Sequence, residues 1–298
     1  MRSPLDEAVI THRLREPRQG RYFRGGDSGN AMTAETSPAG KPYGALTPRM
    51  LDRAVIATTA HMPANWPGKL LAIGLRRIVM QRLPVDGGVD VKRWGWRLRL
   101  HPRHNGRETG VLFMPKFYEA DERAALAAWI AKARTPGQPF VFVDIGANVG
   151  LFSFFVASCV GADARILAIE PESENLRRLR FNIEANTGVP IQVLPFALGE
   201  PAGTAGSEVE CKPLAQALAQ ASVTRIDALR ISVGGSEDRI LLPFFKGEPV
   251  SLWPRFIILE DGRKTWHADL LTELRARDYQ TVGTTKQNVM LELMPHIS

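Results

Sequence analysis

The sequence FVFVDIGANVG, residues 140–150, runs from apolar residues into a turn that contains two glycines. Phe140–Ile145 is rich in valine and phenylalanine, which is typical of a buried strand. Leu151–Val160 continues as an apolar stretch of helical length. The glycines therefore mark the passage from a strand to a helix. Because ligands of parallel sheets bind outside the carboxyl ends of the strands, we expect this turn to border a binding crevice.

Three residues of the turn have roles that follow from their chemistry. Gly146 allows a sharp change of direction and a close approach of a ligand to the backbone. Gly150 allows the following helix to pack closely against the strand. Asp144 places a carboxylate at the end of the strand. A carboxylate there suits a cationic or amine-bearing ligand and is poorly placed beside a pyrophosphate.

A second apolar run ends in Glu170, which is followed by Pro171. An acidic residue at such a strand end can accept both hydroxyls of a ribose, and its distance from Gly146 fits the usual spacing of roughly 20–25 residues. The turn reads Asp-x-Gly-x-x-x-Gly and not Gly-x-Gly-x-x-Gly. This pattern favours S-adenosylmethionine over a nicotinamide dinucleotide as the ligand. An α/β domain whose turn binds nothing is the alternative.

Strands and helices alternate along the rest of the chain. Besides the helix Ser173–Asn186, the pattern predicts strands over residues 166–170, 191–194, 228–233, 256–260, 279–282 and 288–293. Such alternation predicts an α/β fold with a doubly wound, mostly parallel sheet that is covered by helices on both faces.

The chain divides into three predicted parts. Residues 1–45 are polar and rich in arginine, glycine and serine, which predicts disorder. Residues 46–90 predict a helical extension, whose second helix, Gly68–Leu83, is amphipathic and basic. Residues 91–298 predict the main domain, which opens with a strand at 91–100. For the second helix, packing on its own domain is favoured over contact with a membrane surface.

The positive charge lies in the first third of the chain. Residues 1–107 hold 19 Lys and Arg against 8 Asp and Glu, whereas the remaining residues hold 19 against 23. Solvated arginines are the favoured explanation, because the basic residues are not interleaved with aromatic ones as in nucleic-acid grooves. Nucleic acid is therefore not the expected partner. No segment predicts a secretory signal or a transmembrane helix, so we expect a cytoplasmic protein.

Six segments follow one another in the order of the motifs of a known family. They are VDIGANVG at 143–150, AIEPESENLRRLRFNIEAN at 168–186, FALGE at 196–200, ALRISVGGSEDRIL at 228–241, RFIILE at 255–260 and NVMLEL at 288–293. Together they resemble the FkbM-type methyltransferases, from about residue 92 to the C-terminus.

The resemblance implies a class I methyltransferase fold, which is Rossmann-like and has a seven-stranded sheet with the last strand antiparallel. It also implies S-adenosylmethionine as the cofactor and methyl transfer, commonly to an oxygen. The cofactor-binding residues that it implies are Asp144, Gly146, Asn148, Gly150, Glu170, Pro171 and Ala197.

The fourth-strand segment departs from the family pattern. Where the family has Lys-Ile-Asp-Val-Glu-Gly, residues 230–235 read Arg-Ile-Ser-Val-Gly-Gly. Hard divalent cations need several carboxylate oxygens, so no metal site is expected with Ser232 and Gly234 in these places. A hydroxyl acceptor still benefits from a base. The candidates for that base are Glu260, which is favoured because it ends the fifth strand, then Glu237, Asp261 and the histidines His101 and His104, which are expected to be solvated.

These observations leave several functions open. The favoured one is an S-adenosylmethionine-dependent methyltransferase that acts on the hydroxyl of a small molecule, a sugar or a lipid. A degenerate, non-catalytic protein of the same fold, which binds a nucleoside or a partner, is the second. A nicotinamide-dependent oxidoreductase is the third, and the glycine spacing counts against it. The sequence does not identify the acceptor or the oligomeric state.

Overall fold

A computed structural model describes residues 40–63, 65–83, 87–135, 137–199 and 210–295, all of them within one compact unit. In these ranges the α-helices are α1 (Met50–His61), α2 (Trp66–Arg82), α3 (Gly106–Phe113), α4 (Ala120–Ala133), α5 (Leu151–Val160), α6 (Ser173–Glu184), α7 (Leu214–Gln220), α8 (Glu237–Gly247) and α9 (Leu270–Arg275). The strands are β1 (Val89–Arg93), β2 (Trp96–Leu100), β3 (Phe140–Ile145), β4 (Ala164–Ile169), β5 (Ile191–Leu194), β6 (Ala197–Leu198), β7 (Cys211–Lys212), β8 (Ala228–Ile231), β9 (Phe256–Glu260), β10 (Tyr279–Thr284) and β11 (Asn288–Leu293).

The main sheet has seven strands in the order β10-β11-β9-β8-β3-β4-β5. Strands β3, β4, β5, β8 and β9 are mutually parallel, and β11 runs antiparallel to both of its neighbours. The predicted α/β fold with a doubly wound, mostly parallel sheet and an antiparallel last strand is therefore confirmed. The strand order reverses at β3, so the carboxyl ends of β3 and β8 border the crevice where such sheets bind ligands.

Strand β3 is buried at all of its positions because helices cover both faces of the sheet. Phe140 and Phe142 point into the core cluster beneath α4 and α5, whereas Val141, Val143 and Ile145 point into the cluster that contains α7, α8 and α9. This alternation is the period of two that a strand imposes on its side chains. A strand that is apolar on both faces can only lie inside a two-sided sheet.

Residues 40–46 lie along β1, contrary to the predicted disorder over their part of the segment 1–45. Tyr43 Oη donates to Val91 O at 2.9 Å. The backbone N–H groups of Gly44 and Leu46 donate to Asp90 Oδ2 at 2.8 and 3.0 Å. Asp90 is itself paired with Arg99 at 2.7 Å. The remainder of the predicted tail, residues 1–39, is outside the described ranges.

Residues 91–100, predicted as one strand, instead lie in a hairpin of β1 and β2 that starts at Val89. The turn consists of Trp94 and Gly95, whose φ angles of 51° and 85° are those of a tight hairpin turn. The alternating pattern continues on both sides of the turn, which explains why the sequence reads as a single strand.

The N-terminal helices form an antiparallel pair. Helix α2 begins at Trp66, earlier than the predicted Gly68, because proline is tolerated in the first turn of a helix. Asn65 Oδ1 caps α2 by accepting from Gly68 N at 2.9 Å. Helix α1 packs against α2 and α3. In the described part of the chain, no helix is long and apolar enough to cross a membrane.

The connection between β5 and β8 contains a small sheet and a helix of its own. Short strands β6 and β7 pair in parallel, with Ala197 opposite Cys211 and Leu198 opposite Lys212. The helix α7 follows. Ala197 is therefore part of a second small sheet.

Candidate functional site

The turn after β3 depends on glycine at two positions. Gly146 has a φ of 74°, and a Cβ atom there would lie 2.1 Å from Ser232 O. Gly150 has a φ of 85°, and its Cβ would lie 2.6 Å from Leu179 Cδ1 on α6. Any larger side chain would push these segments apart. The close approach expected at Gly150 is thus made to α6 and not to the strand.

Glu170 fixes the shape of the same turn from the end of β4. Its side chain is almost fully buried. Oε2 accepts from Asn148 N at 2.7 Å, and Oε1 accepts from Glu172 N at 3.0 Å and from Asn175 Nδ2 at 3.4 Å. Asn148 has a φ of 54°, an uncommon conformation for a residue with a side chain. The predicted ribose-binding acid therefore also holds the turn in place.

Asn148 connects the turn to the segment before the main sheet. Its Oδ1 accepts from Val149 N at 2.9 Å and from Asn105 Nδ2 at 3.0 Å. Asn105 is the N-cap of α3, where its Oδ1 accepts from Arg107 N at 2.9 Å. The start of α3 therefore lies beside this turn, and no motif in the sequence predicts that contact.

Asp144 is enclosed by other side chains of the protein, and its predicted contact with a cofactor stays a prediction. Its side chain is fully buried, with Oδ2 accepting from Ser153 Oγ at 2.7 Å and Oδ1 from Arg230 Nη1 at 3.3 Å. Asp144 and Arg230 are opposite one another in the parallel register of β3 and β8. The cation beside this carboxylate is therefore supplied by the protein.

Arg230 is the centre of a buried charged cluster. Its guanidinium lies 4.5 Å from the centre of the Phe152 ring and 3.9 Å from Glu119 Oε2. Burial by itself lowers the pKa of Arg230, but the carboxylates of Asp144 and Glu119 outweigh it, so that the pKa is raised. The arginine is therefore permanently charged. Among the described residues, neither Arg230 Nε nor Glu119 Oε2 has a hydrogen-bond partner.

Ser232 and Glu260 meet at the carboxyl ends of β8 and β9. Ser232 Oγ donates to Glu260 Oε2 at 2.7 Å and accepts from Arg107 Nη2 at 2.9 Å. Arg107 Nη2 also lies 3.9 Å from Glu260 Oε1. The side chains of Arg107 and Glu260 are 36% and 30% exposed, so this group opens toward solvent. Of the predicted bases, Glu260 is therefore the one beside a hydroxyl and a cation.

Glu237 lies in a different environment from Glu260. It is fully buried at the start of α8. Oε1 accepts from Val233 N at 3.0 Å and Gly235 N at 3.2 Å, and Oε2 accepts from Trp266 Nε1 at 2.8 Å. Oε1 thus holds the loop that follows β8, and Oε2 holds the segment that follows β9. This geometry supports a bracing role for Glu237.

The other predicted bases are placed as follows. His101 is buried, contrary to the expectation of a solvated ring, and burial together with the nearby Arg178 lowers its pKa to about 4. Asp261 accepts from Arg263 Nε at 2.8 Å, and this hydrogen bond lowers the pKa of Asp261. No set of three or more metal-ligating side chains is grouped together in the described ranges.

Pro171 and Ala197 complete the predicted cofactor set. Pro171 follows Glu170 and is half-buried. Ala197, also half-buried, donates its backbone N–H to Glu210 O at 2.9 Å. Their contact with a cofactor stays a prediction.

The sequence matches no protein-family model and none of the curated proteins with which it was compared. Among solved structures it is similar to the METTL16 MTase domain, with a TM-score of 0.50 and 15% identity over 82% of this chain and 91% of that one. The fold is that of the class I methyltransferases. S-adenosylmethionine is the cofactor expected for this fold.

Two further solved structures have lower scores. A methyltransferase from Geobacter sulfurreducens has a TM-score of 0.40 and 14% identity, over 84% of this chain and all of that one (100%). Precorrin-6y C5,15-methyltransferase from Geobacter metallireducens GS-15 has a TM-score of 0.38 and 16% identity, over 59% of this chain and 89% of that one. The fold therefore rests on the similarity to the METTL16 MTase domain, and at 15% identity that similarity shows the fold alone.

Proposed function

We propose that this protein is an S-adenosylmethionine-dependent methyltransferase whose acceptor is a hydroxyl of a small molecule, a sugar or a lipid. The observation that carries the proposal is the turn after β3. There Gly146 lies against Ser232, and Glu170 holds Asn148 N at 2.7 Å. Membership of the FkbM-type family, with residues 91–298 as the catalytic domain, is part of the same proposal. It rests on the segments quoted above.

The residues of the site fit S-adenosylmethionine. Glu170 accepts three hydrogen bonds from described residues. A carboxylate has about four acceptor positions, so one is left for a ribose hydroxyl. Glu119 lies 3.9 Å from both Arg107 and Arg230, so its charge helps to hold these two cations in place. In this proposal Asp144 and Glu119 both act by holding Arg230.

When bound, S-adenosylmethionine supplies a methyl group on a positively charged sulfur. The protein then has to position the acceptor and take up its proton. Glu260 is proposed as the base, acting through Oε1 because Oε2 already accepts from Ser232 at 2.7 Å. Arg107 Nη2, 3.9 Å from Oε1, would orient the incoming hydroxyl group. A positioned base contributes roughly 10²–10⁴-fold to the rate.

Calorimetric titration with S-adenosylmethionine tests the donor site. Gly146→Ala is expected to weaken binding by about tenfold or more, because its Cβ would lie 2.1 Å from Ser232 O. Gly161→Ala is the matched control, because Gly161 has a similar φ of 78° and open space around its Cβ position. The control should bind as the wild type does. The proposal would be refuted if the wild-type protein did not bind S-adenosylmethionine and bound a nicotinamide dinucleotide.

The second candidate is a non-catalytic protein that binds the donor or a partner. It is favoured by Ser232 and Gly234, which replace the two acidic residues of the family pattern, and by the contacts that already occupy Glu260. Incubation of labelled donor with fractionated cell extract separates the two. Transfer of label to an extract component supports the enzyme, whereas tight donor binding with no transfer supports the binding protein.

The acceptor class and the location belong to the same proposal. Treating the labelled product with ribonuclease, protease or lipid extraction assigns the acceptor, and a label lost to ribonuclease would contradict a small-molecule, sugar or lipid hydroxyl. A cytoplasmic location is consistent with the free thiols of Cys159 and Cys211. Cell fractionation tests it.

A further inference from the structure

The pair α1 and α2 carries most of the large apolar side chains that the described residues expose. These side chains are Met50 (75% exposed), Leu51 (66%), Trp66 (73%), Leu70 (47%), Leu71 (58%) and Ile78 (44%), and we name them the hairpin patch. Outside this pair, Val250 and Val282 are the large apolar residues exposed in the described ranges, and they stand apart from one another in the chain. Exposed apolar groups concentrated in this way mark an interaction surface.

The exposed large apolar residues of α2 share one side of the helix. At about 100° per residue, Trp66, Leu70, Leu71 and Ile78 fall within an arc of about 140°. The opposite side is buried through Ala72 and Val79. The helix therefore packs on its own domain, as the sequence predicted, and presents a second apolar face outward. An outward face of this kind is unusual for a helix on the surface of a soluble domain.

Met50 and Leu51 lie at the same end of the pair as Ile78. The evidence is the ion pair between Asp52 on α1 and Arg82 on α2, with Arg82 Nη1 3.3 Å from Asp52 Oδ1. The first turn of α1 is thus beside the last turn of α2. The exposed apolar residues consequently extend along α2 and onto the start of α1.

The charge around the hairpin patch is positive. Residues 40–83 contain seven Lys and Arg, and their single acidic residue is Asp52, which is buried and paired with Arg82. Lys69 is exposed on α2 beside the patch, and Arg77 is exposed within the arc of its apolar residues. Long basic side chains can keep their charge at the headgroups while their stems lie along apolar surface.

We propose that the hairpin patch docks this protein on the surface of an anionic lipid bilayer. Large apolar side chains surrounded by cations are the composition of a helix that lies in the membrane interface. The apolar groups enter the acyl boundary, and the cations meet the anionic headgroups. A nucleic-acid surface would use the cations but would leave the apolar face without a role. The docking does not depend on the proposed methyl transfer.

The docking surface is joined to the candidate site through α3. Helix α1 packs against α3, and Lys116 Nζ, just beyond α3, donates at 3.0 Å to His61 O in the last residue of α1. Helix α3 carries Arg107, which donates to Ser232 Oγ. If the proposed function holds, docking places the acceptor side of the site one helix away from the lipid surface, which favours a lipid-borne hydroxyl as the acceptor.

Co-sedimentation of the full chain with vesicles tests the docking. The wild type is expected to sediment with vesicles of phosphatidylcholine mixed with phosphatidylserine, and to stay in solution with phosphatidylcholine alone. The variant Leu70→Gln/Leu71→Gln is expected to lower the bound-to-free ratio by about tenfold or more. The reason is that two apolar side chains, which in the wild type move from water into the acyl boundary, are replaced by polar ones. Arg77→Glu should lower it by a smaller factor that shrinks in high salt.

The matched control is Val250→Gln/Val282→Gln, which removes the exposed apolar residues that lie outside the hairpin patch. Its vesicle binding should equal that of the wild type. All of the replaced residues are exposed, so circular dichroism should confirm that each variant is folded. Two results would overturn the proposal. The first is a loss of vesicle binding in the control variant as large as that in Leu70→Gln/Leu71→Gln. The second is a wild-type protein that is a dimer and does not bind vesicles, while Leu70→Gln/Leu71→Gln is a monomer that does not bind them either. The second would identify the patch as an interface between copies of the chain.

Discussion

Replacing Asp144 with asparagine is expected to destabilise the protein by about 3–5 kcal/mol, the usual cost of removing one partner from a buried ion pair. The side chains of Asp144 and Arg230 are 0% and 4% exposed, so water cannot replace the lost carboxylate. The nearest other acid, Glu119, is 3.9 Å from Arg230 and already lies the same distance from Arg107. Arg230 would keep its charge and lose its closest counter-ion.

The double variant Asp144→Asn/Arg230→Met is expected to recover most of that loss. Methionine can occupy the space over the Phe152 ring, which lies 4.5 Å from the guanidinium, without a charge to bury. Ser153→Ala is the control for the hydrogen bond to Asp144 alone, and it should cost about 1 kcal/mol. Urea unfolding followed by circular dichroism measures all three free energies of unfolding.

A second readout separates this structural role from direct donor contact. If Asp144 acts only through Arg230, the folded fraction of Asp144→Asn should bind S-adenosylmethionine within about threefold of the wild type once the unfolded fraction is corrected for. The reasoning would be refuted by a double variant as unstable as the single one. It would equally be refuted by a stable Asp144→Asn that no longer binds the donor.

Glu260, Glu237 and His101 can each be tested by a single substitution. Glu260→Gln should lower the rate of methyl transfer by roughly 10²–10⁴-fold and leave the donor affinity unchanged. Glu184 is exposed, and the control variant Glu184→Gln should change neither quantity. A fully active Glu260→Gln would exclude Glu260 as the base. Glu237→Gln should destabilise the protein by about 1–3 kcal/mol, because a buried acceptor of N–H groups from Val233 and Gly235 is weakened; stability equal to that of the wild type would contradict the bracing role. Stability should fall by an amount on the order of 2 kcal/mol as the pH drops from about 6.5 to about 4, because His101 is neutral in the folded protein and binds a proton when unfolded. His101→Gln should flatten this part of the stability curve, and an unchanged slope would assign it to other groups.

Local patterns in the sequence were sufficient for the class of fold. The apolar run Phe140–Ile145, its period of two and the glycines that follow are all contained within a short window. Gly146 has a positive φ of 74°, a conformation that glycine adopts without strain. The local sequence is therefore enough to predict the turn. The alternation of strands and helices then leaves a two-sided parallel sheet as the arrangement that buries every apolar strand.

The partners of the charged side chains could not be predicted in this way, because they come from distant parts of the chain. Asp144 and Arg230 are 86 residues apart in the sequence, and Arg107 and Ser232 are 125 residues apart. Such pairs depend on the register between β3 and β8 and on how α3 packs beside them. A carboxylate at a strand end looks the same in the sequence whether it faces a ligand or a buried arginine.

The sequence by itself thus determined the sheet, the glycine turn and Glu170 at the next strand end, since short-range sterics and periodicity specify them. Tertiary structure alone decided that Asp144 is internal and that Arg107 lies beside Ser232 and Glu260. It also decided that the outward side of α2 is apolar. The reason is physical: backbone conformation is set by neighbours in the chain, whereas burial and electrostatic pairing are set by neighbours in space.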